Sequence, residues 1–157
     1  MSTRCRIGME LPDGKIKSIY SHWDGYPEGV GEKLQKFYKD PKDVEDLINL
    51  GDISSLGEYY DEELSKKDWT KFEITDPKER EDAILAAEKC TVAYKDRGED
   101  CPPRIDEDEE EFISKAGRCC EEWMYLFKKD YSGVYRWHVM ETPWFMSLED
   151  KLKGIEY

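Results

Sequence analysis

The chain lacks any long hydrophobic segment. Its first residues, Met1–Cys5, do not have the apolar stretch of a signal peptide, and no run approaches the about 18–20 apolar residues that span a membrane. We therefore expect a cytoplasmic protein with no membrane partner.

Signatures of metal sites, disulfide frameworks and common hydrolases are also missing. The five cysteines include no C-x-x-C pair, so neither a disulfide framework nor a ribbon-type zinc site is indicated; they are Cys5, Cys90, Cys101, Cys119 and Cys120. The chain contains no G-x-S-x-G, no phosphate-binding loop and no H-E-x-x-H motif. We expect reduced thiols, no metal ion and no cofactor.

Basic residues are scarce relative to acidic ones. Lysine and arginine total 24 against 37 aspartates and glutamates, which gives a formal net charge of −13. A chain this acidic is a poor generic binder of phosphate backbones, so no direct nucleic-acid partner is expected. The acidity has two interpretations: a solvated surface that keeps the protein soluble, or a shaped negative face that fits the basic groove of a partner.

Two segments read as β-hairpins. The length of 157 residues and the aromatic share of 13% fit a single acidic domain, residues 1–157, with one core. Residues 3–11 alternate apolar and polar side chains, and residues 16–22 follow a Pro-Asp-Gly-Lys turn, which predicts the first hairpin. The aromatic-rich segments 122–127 and 133–139 predict the second.

The segment between the hairpins is predicted to be mainly helical. An apolar stripe over residues 30–38 indicates one helix, and Asp40-Pro41 and Asp76-Pro77 each place a capping residue before a proline, which is typical of a helix start. We interpret residues 52–75 as mostly loop, with an edge strand that includes Trp69, Phe72 and Ile74.

Two shorter elements complete the predicted fold. Residues 91–94 read as a short strand, and Ser147 opens a C-terminal helix. The fold class is α+β: about five strands in a mostly antiparallel sheet, built from N- and C-terminal hairpins, with the inserted helices packed on one face.

The segment His22–Glu28 follows a predicted strand and precedes a predicted helix, which is a usual place for a site. Trp23 and Tyr26 can stack on a base or pack against a partner, and Asp24 can orient His22 or accept a hydrogen bond from a ligand. The alternative is a structural turn in which Asp24 caps, Gly25 takes a positive φ and the aromatic residues close the core.

Arg97 is the one guanidinium inside the acidic loop Asp96–Asp100. This pattern favours an intramolecular clamp with a carboxylate, or else an anion contact. If the strand predicted at residues 91–95 lies beside that at residues 16–22, Arg97 approaches His22 and Asp24. The candidate ligand-binding set is therefore His22, Trp23, Asp24, Tyr26 and Arg97.

Six consecutive acids precede Phe112-Ile113 and form what we call the acidic run: Asp106, Glu107, Asp108, Glu109, Glu110 and Glu111. Like-charge repulsion favours a solvated and mobile beginning of this segment. It lacks the D-x-[DN]-x-[DN]-G pattern of a calcium loop. Together with Glu99 and Asp100, the acidic run is the candidate partner-binding surface.

Three stretches resemble a family of small phage and prophage proteins of Gram-positive bacteria. They are Ser2–Arg4 with the first hairpin and Tyr20–Glu28; Gly51–Gly57 with Thr91–Asp100; and Trp123–Phe127 before a Tyr/Trp strand. The His-Trp-Asp-Gly-Tyr-Pro block is the most specific part. The resemblance implies a phage origin and no chemistry. Phage accessory proteins of this size often oppose host defence, as anti-CRISPR proteins do, and several of those are acidic nucleic-acid mimics.

Three functional hypotheses follow. The first is a non-enzymatic, anti-CRISPR-like inhibitor in the cytoplasm of a bacterial host, which binds a nucleic-acid-processing defence effector through acidic surface. The second is a sponge that sequesters a nucleotide-derived immune signal at the candidate ligand-binding set. The third is a small hydrolase that pairs Cys5, Cys119 or Cys120 with His22 or His138.

Overall fold

The computed structural model describes residues 3–115, 121–140, 146–148 and 152. The strands of this part form one mixed sheet of eight strands, four of them only two or three residues long. They are β1 (Cys5–Glu10), β2 (Ile16–Ser21), β3 (Ile53–Ser55), β4 (Val92–Ala93), β5 (Arg104–Asp106), β6 (Trp123–Lys129), β7 (Tyr135–Met140) and β8 (Met146–Ser147). Their order is β4-β3-β2-β1-β6-β7-β8, and β5 also pairs with β2.

Five α-helices lie between these strands in the described ranges. They are α1 (Glu32–Phe37), α2 (Pro41–Ile48), α3 (Glu62–Thr70), α4 (Pro77–Ala87) and α5 (Glu109–Ser114). A π-helical turn, Pro27–Gly31, leads into α1, and 3-10 turns cover Lys71–Glu73 and Tyr94–Arg97. None of the helices that the structure describes is long and apolar enough to cross a membrane.

Both predicted hairpins are present. In the first, β1 pairs with β2 so that Cys5 faces Ser21 and Glu10 faces Ile16. Gly14 closes the turn at a φ of +90°, a backbone conformation that glycine adopts without a steric penalty. The second hairpin pairs β6 with β7 in register from Met124 to Lys129.

The prediction of a mostly antiparallel sheet is met in part: five of the seven strand pairings in the described ranges are antiparallel, and two parallel pairings make the sheet mixed. β1 runs parallel to β6, and β2 runs parallel to β3. The second pairing follows from α1 and α2, because a helical crossover brings the chain back in the same direction. The strand count of about five was too low, since β3, β4, β5 and β8 are too short to show a periodicity of two.

One face of the sheet, which we call the apolar face, is covered by α1 and α2. Its buried residues come from strands and helices alike and include Ile7, Ile19, Tyr125, Phe127, Trp137, Leu34, Val44, Leu47 and Ile48. The stripe at residues 30–38 and the helix after Asp40 therefore form this layer, as predicted. The Trp137 indole donates to the Tyr38 backbone oxygen at 2.8 Å, which ties α1 to β7.

The opposite face, which we call the polar face, is apolar only beneath α5. Phe112 of α5 packs there in a second, smaller cluster with Ile16, Met124, Leu126 and Met140. The prediction that all inserted helices pack on one face is therefore wrong for α5. Beyond this cluster the polar face carries charged and hydroxyl side chains, which position the candidate site.

Residues 52–75 are not mostly loop. Asp61 accepts a hydrogen bond from the Leu64 backbone at 3.0 Å and begins α3, whose Trp69 donates to the Ala93 backbone oxygen at 2.8 Å. The predicted edge strand is therefore wrong: Trp69 lies in α3, and Phe72 lies in the 3-10 turn that follows and is 77% exposed. Asp76 caps α4 as expected, by accepting from the Glu79 backbone at 3.1 Å.

The predicted C-terminal helix lies mostly outside the described residues. Of its apolar positions, Leu148 is fully buried and Leu152 packs against the core of the apolar face. Cys119 and Cys120 also lie outside the described residues.

Candidate functional site

The turn after β2 is held rigidly at its backbone. The Gly25 N–H donates to the Thr3 oxygen at 2.8 Å and the Val30 N–H donates to the Asp24 oxygen at 2.9 Å. A Cβ on Gly25 would lie 2.8 Å from the Thr3 oxygen, so glycine is required by close approach. Asp24 adopts the positive φ, at 56°, where the sequence suggested Gly25. Aspartate tolerates this region better than most residues.

The aromatic residues of this turn do not close the core. Trp23 is 46% exposed and Tyr26 is 40% exposed. The Tyr26 hydroxyl donates to Asp24 at 3.4 Å, and the adjacent carboxylate raises the pKa of the phenol. Both rings are therefore available at the surface, as the binding interpretation of the segment requires.

His22 points to the polar face, where it joins Tyr20. Its Nδ1 lies 2.7 Å from the Tyr20 hydroxyl, and its ring meets Trp23 edge-on with centroids 4.8 Å apart. Burial and then the nearby Arg4 charge lower the pKa of His22. Burial raises the pKa of Tyr20, so the phenol keeps its proton.

Three arginines share this end of the polar face, and sequence reasoning missed all of them. Arg6 is buried; it donates to Glu121 at 2.7 Å and to Ser18 at 3.0 Å. Arg104 donates to the fully buried Asp106 at 3.0 Å. Arg4 lies close enough to shift the pKa of both Tyr20 and His22. The hairpin register could have found Arg6, because it sets Arg6 opposite Tyr20, and it could have drawn attention to Arg4, which directly precedes the last pair, Cys5 with Ser21.

Arg97 occupies a different environment. Its Nη2 contacts the Glu99 carboxylate at 2.6 Å, and its guanidinium lies 4.4 Å from the Trp69 ring centroid. β3 separates β4 from β2, so the adjacency that was to bring Arg97 to His22 and Asp24 is absent. The intramolecular clamp is the arrangement observed.

The acidic run is used largely within the protein. Asp106 is fully buried between Arg104 and Lys115, at 3.0 and 2.7 Å. The remaining structural roles are a cap on α5 by Asp108, an ion pair of Glu109 with Lys128 at 2.8 Å, and a contact of Glu111 with Lys115 at 2.9 Å. Glu107 and Glu110 are exposed. The expectation of a solvated segment therefore fails at Asp106, whose charge two cations neutralise.

The described residues do not place a cysteine thiol beside a histidine that could activate it as a nucleophile. Cys5 is fully buried on the apolar face, and burial raises the pKa of its thiol, whereas His22 projects from the other face. His138 contacts the Arg136 backbone oxygen at 3.0 Å through Nδ1. No group of three or more metal-ligating side chains occurs in the described ranges.

Two surface clefts combine aromatic rings with carboxylates. The first, the Tyr cleft, has a volume of about 460 Å³; its chemically distinctive lining residues are Phe37, Tyr59, Tyr60, Asp43, Asp46 and Glu58. The second, the Trp cleft, has a volume of about 420 Å³; its distinctive lining residues are Trp23, Ile84, Leu85, Asp24, Asp68, Glu88 and Lys33. The Trp cleft thus contains two of the predicted site residues.

The charges of these clefts are only partly neutralised. Asp46 pairs with Lys42 at 2.7 Å and Asp68 pairs with Lys71 at 3.0 Å. Lys33 donates to the Leu56 backbone oxygen at 2.9 Å. Each cleft is therefore negative, and each presents an exposed aromatic ring: Tyr59 is 45% exposed in one and Trp23 is 46% exposed in the other.

Comparison of the chain with protein-family models, with curated proteins and with solved structures finds no match in any of the three.

Proposed function

We propose that this chain is a phage-encoded counter-defence protein of the anti-CRISPR kind, which binds a host nucleic-acid-processing effector and occupies its basic groove. The observation that supports this function best is the pairing of exposed aromatic rings with carboxylates in both clefts. It is a binding function and uses no catalytic group.

The chemistry of the clefts suits lysine and arginine side chains. A carboxylate pairs with a guanidinium, and an aromatic face attracts the same cation at about 0.5–1 kcal/mol when exposed. An intramolecular cation–π contact of this kind already occurs in the protein: the Lys95 Nζ lies 5.2 Å from the Tyr60 ring centroid. A nucleic-acid groove is rich in these two side chains, because they neutralise phosphates.

The partner contacts the clefts more than it contacts the acidic run. Four of the six acids in the run make contacts inside the protein, and Glu107 and Glu110 are the two whose carboxylates have no partner among the described residues. Glu99 is held by Arg97, and Asp100 is exposed. These residues supply long-range attraction, whereas the clefts supply shaped contacts.

Three paired substitutions test this assignment at equal change of net charge. One removes Asp43 and Glu58 from the Tyr cleft (D43N/E58Q), one removes Asp24 and Glu88 from the Trp cleft (D24N/E88Q), and the third removes Glu107 and Glu110 (E107Q/E110Q). Each is expressed in strains that carry one nucleic-acid-guided or nucleic-acid-cleaving defence system. The readout is whether the host system still protects the strain, because an active inhibitor abolishes that protection.

We expect D43N/E58Q or D24N/E88Q to lose inhibition of the effector, and E107Q/E110Q to retain it. With the purified effector, binding should weaken steeply as salt rises and should compete with that effector's own nucleic acid. Binding that is insensitive to salt, or inhibition that disappears only with the Glu107/Glu110 pair, would overturn the proposal.

A further inference from the structure

The polar face carries a second feature that the clefts do not use, at the end of β1 and β2 near His22. Side chains of neighbouring antiparallel strands that face each other in register lie on the same side of the sheet. Arg6 pairs with Tyr20, and Arg4 lies close enough to influence the pKa of both Tyr20 and His22. Two guanidinium groups, a phenol and an imidazole therefore lie together.

The three arginines at this end of the polar face differ in how their charges are neutralised. Arg6 contacts Glu121, whose side chain is fully buried, and Arg104 contacts Asp106. For Arg4 the described residues offer no carboxylate within ion-pairing distance. Its Nε is buried without a hydrogen-bond partner, as Arg104 Nη2 and Glu121 Oε2 also are. A buried donor without an acceptor costs free energy, so an acceptor from a ligand would be favoured at this position.

His22 supplies a second donor beside Arg4. Its lowered pKa keeps the imidazole neutral near neutral pH, and the raised pKa of Tyr20 keeps the phenol protonated. The Tyr20 hydroxyl lies 2.7 Å from Nδ1. When this hydroxyl donates to Nδ1, the proton of the neutral ring is on Nε2, and Nε2–H is a hydrogen-bond donor that Tyr20 does not occupy.

The local charge is balanced, in contrast with the acidity of the chain as a whole. Four cations of this end stand against four carboxylates: Arg4, Arg6, Arg104 and Lys115 against Glu121, Asp106, Glu111 and Asp52. Glu121 and Asp106 are each committed to a cation. Asp52 accepts from the Tyr20 backbone at 2.9 Å, and burial raises its pKa.

We propose that Arg4 and His22 bind the phosphate group of a nucleotide, and that the exposed ring of Trp23 stacks on its base. Guanidinium and imidazole N–H groups are strong donors to phosphate oxygens. Base–aromatic stacking tolerates any base, because each has a π-face. The site shares Trp23 with the Trp cleft but uses none of the carboxylates of that cleft.

Nuclear magnetic resonance of the His22 ring tests this directly. The pKa of His22 is followed with inorganic phosphate, a nucleoside monophosphate and a cyclic dinucleotide as separate probes. A bound anion stabilises the imidazolium, so the pKa of His22 should rise. The two nucleotides, and not phosphate, should also shift the Trp23 indole resonance.

Substitutions then separate this site from a general charge effect. Arg4→Gln should weaken nucleotide binding roughly 10- to 100-fold, as expected for lost charge-assisted hydrogen bonds, and Arg4→Lys should restore part of it. Arg97→Gln removes the same charge from a guanidinium that Glu99 and Trp69 already hold, and it should leave binding unchanged.

Three results would overturn the inference. One is an unchanged pKa of His22 with all three probes. Another is equal weakening by Arg97→Gln. The third is a response to phosphate with no stronger response to either nucleotide, which would reduce the site to a bare oxyanion site. None of these bears on effector binding, which the cleft variants test separately.

Discussion

The two faces of the sheet are built by opposite means. The apolar face buries a continuous layer of aliphatic and aromatic side chains beneath α1 and α2. The polar face buries charges: Arg6, Asp106 and Glu121 are all less than a tenth exposed. Burial of apolar area stabilises a fold without direction, whereas buried charges cost free energy unless they are paired. The comparison indicates that the apolar face stabilises the fold through buried area, whereas the polar face depends on the pairing of its buried charges.

The apolar face should show the largest effects on stability. Phe127 is 1% exposed and contacts the rings of Tyr135 and Trp137, with centroids 5.3 and 5.1 Å away. Phe127→Ala should lower the free energy of unfolding by about 3–5 kcal/mol, measured by urea denaturation. Phe72 is 77% exposed and is the matched control; Phe72→Ala should change stability by less than about 0.5 kcal/mol. Equal effects at both positions would contradict the assignment.

The buried ion pair of the polar face should behave differently from a hydrophobic contact. Glu121→Leu leaves Arg6 buried without its carboxylate and should cost about 3 kcal/mol, while Arg6→Met combined with Glu121→Leu should recover most of that loss. Urea denaturation of the two variants measures the difference. A double variant less stable than the single one would show that the pair is required for the fold.

Local signals in the sequence predicted much of the apolar face. The stripe at residues 30–38 and the helix after Asp40 became α1 and α2, although the Asp40 side chain makes no capping hydrogen bond, and the two hairpins have the expected strands. The parallel pairing of β1 with β6 could not be predicted, because nothing local relates residues so far apart. β3 and α3 were missed because one is three residues long and the other mixes charged and aromatic residues without a clear stripe.

The candidate site was predicted only in part. The composition of His22–Glu28 singled out this turn but left open whether its aromatics bind a ligand or close the core. The structure shows that they are exposed and that Trp23 and Asp24 border a cleft. Arg97 was chosen for its position in an acidic loop, but its carboxylate neighbour Glu99 neutralises it. Arg4 was overlooked because a residue before a strand shows its importance only through the register of the hairpin.

A single hydroxyl connects the apolar face to the site. The buried Tyr125 O–H donates to the Gly25 backbone oxygen at 2.7 Å, between β6 and the turn that carries Trp23. Tyr125→Phe should lower stability by about 1 kcal/mol, or somewhat more, because the Gly25 oxygen loses its partner. Trp23 fluorescence should change as well, since the turn loses an anchor. An unchanged emission spectrum would indicate that the remaining backbone bonds hold the turn by themselves.

The smallest effect expected on the polar face is a pH dependence at Asp52. Burial raises the pKa of this carboxyl, so its ionised form reduces stability above that pKa, and the reduction disappears as pH falls toward the ordinary carboxyl range. Asp52→Asn keeps an acceptor for the Tyr20 N–H and should raise the urea midpoint slightly at neutral pH. The gain should shrink on acidification. Asp82→Asn, on exposed α4, is the control and should show neither change.

The parallel pairing of β1 with β6 also has a consequence for how the chain folds during synthesis. Cys5 pairs with Trp123, so the centre of the sheet joins segments 118 residues apart. At ribosomal rates of about 5–20 residues per second, β1 waits roughly 6–24 seconds for its neighbour. During that interval one edge of the first hairpin is unpaired and its apolar side uncovered, and such edges recruit other chains. High expression should therefore favour aggregation of nascent chains over aggregation of the finished protein.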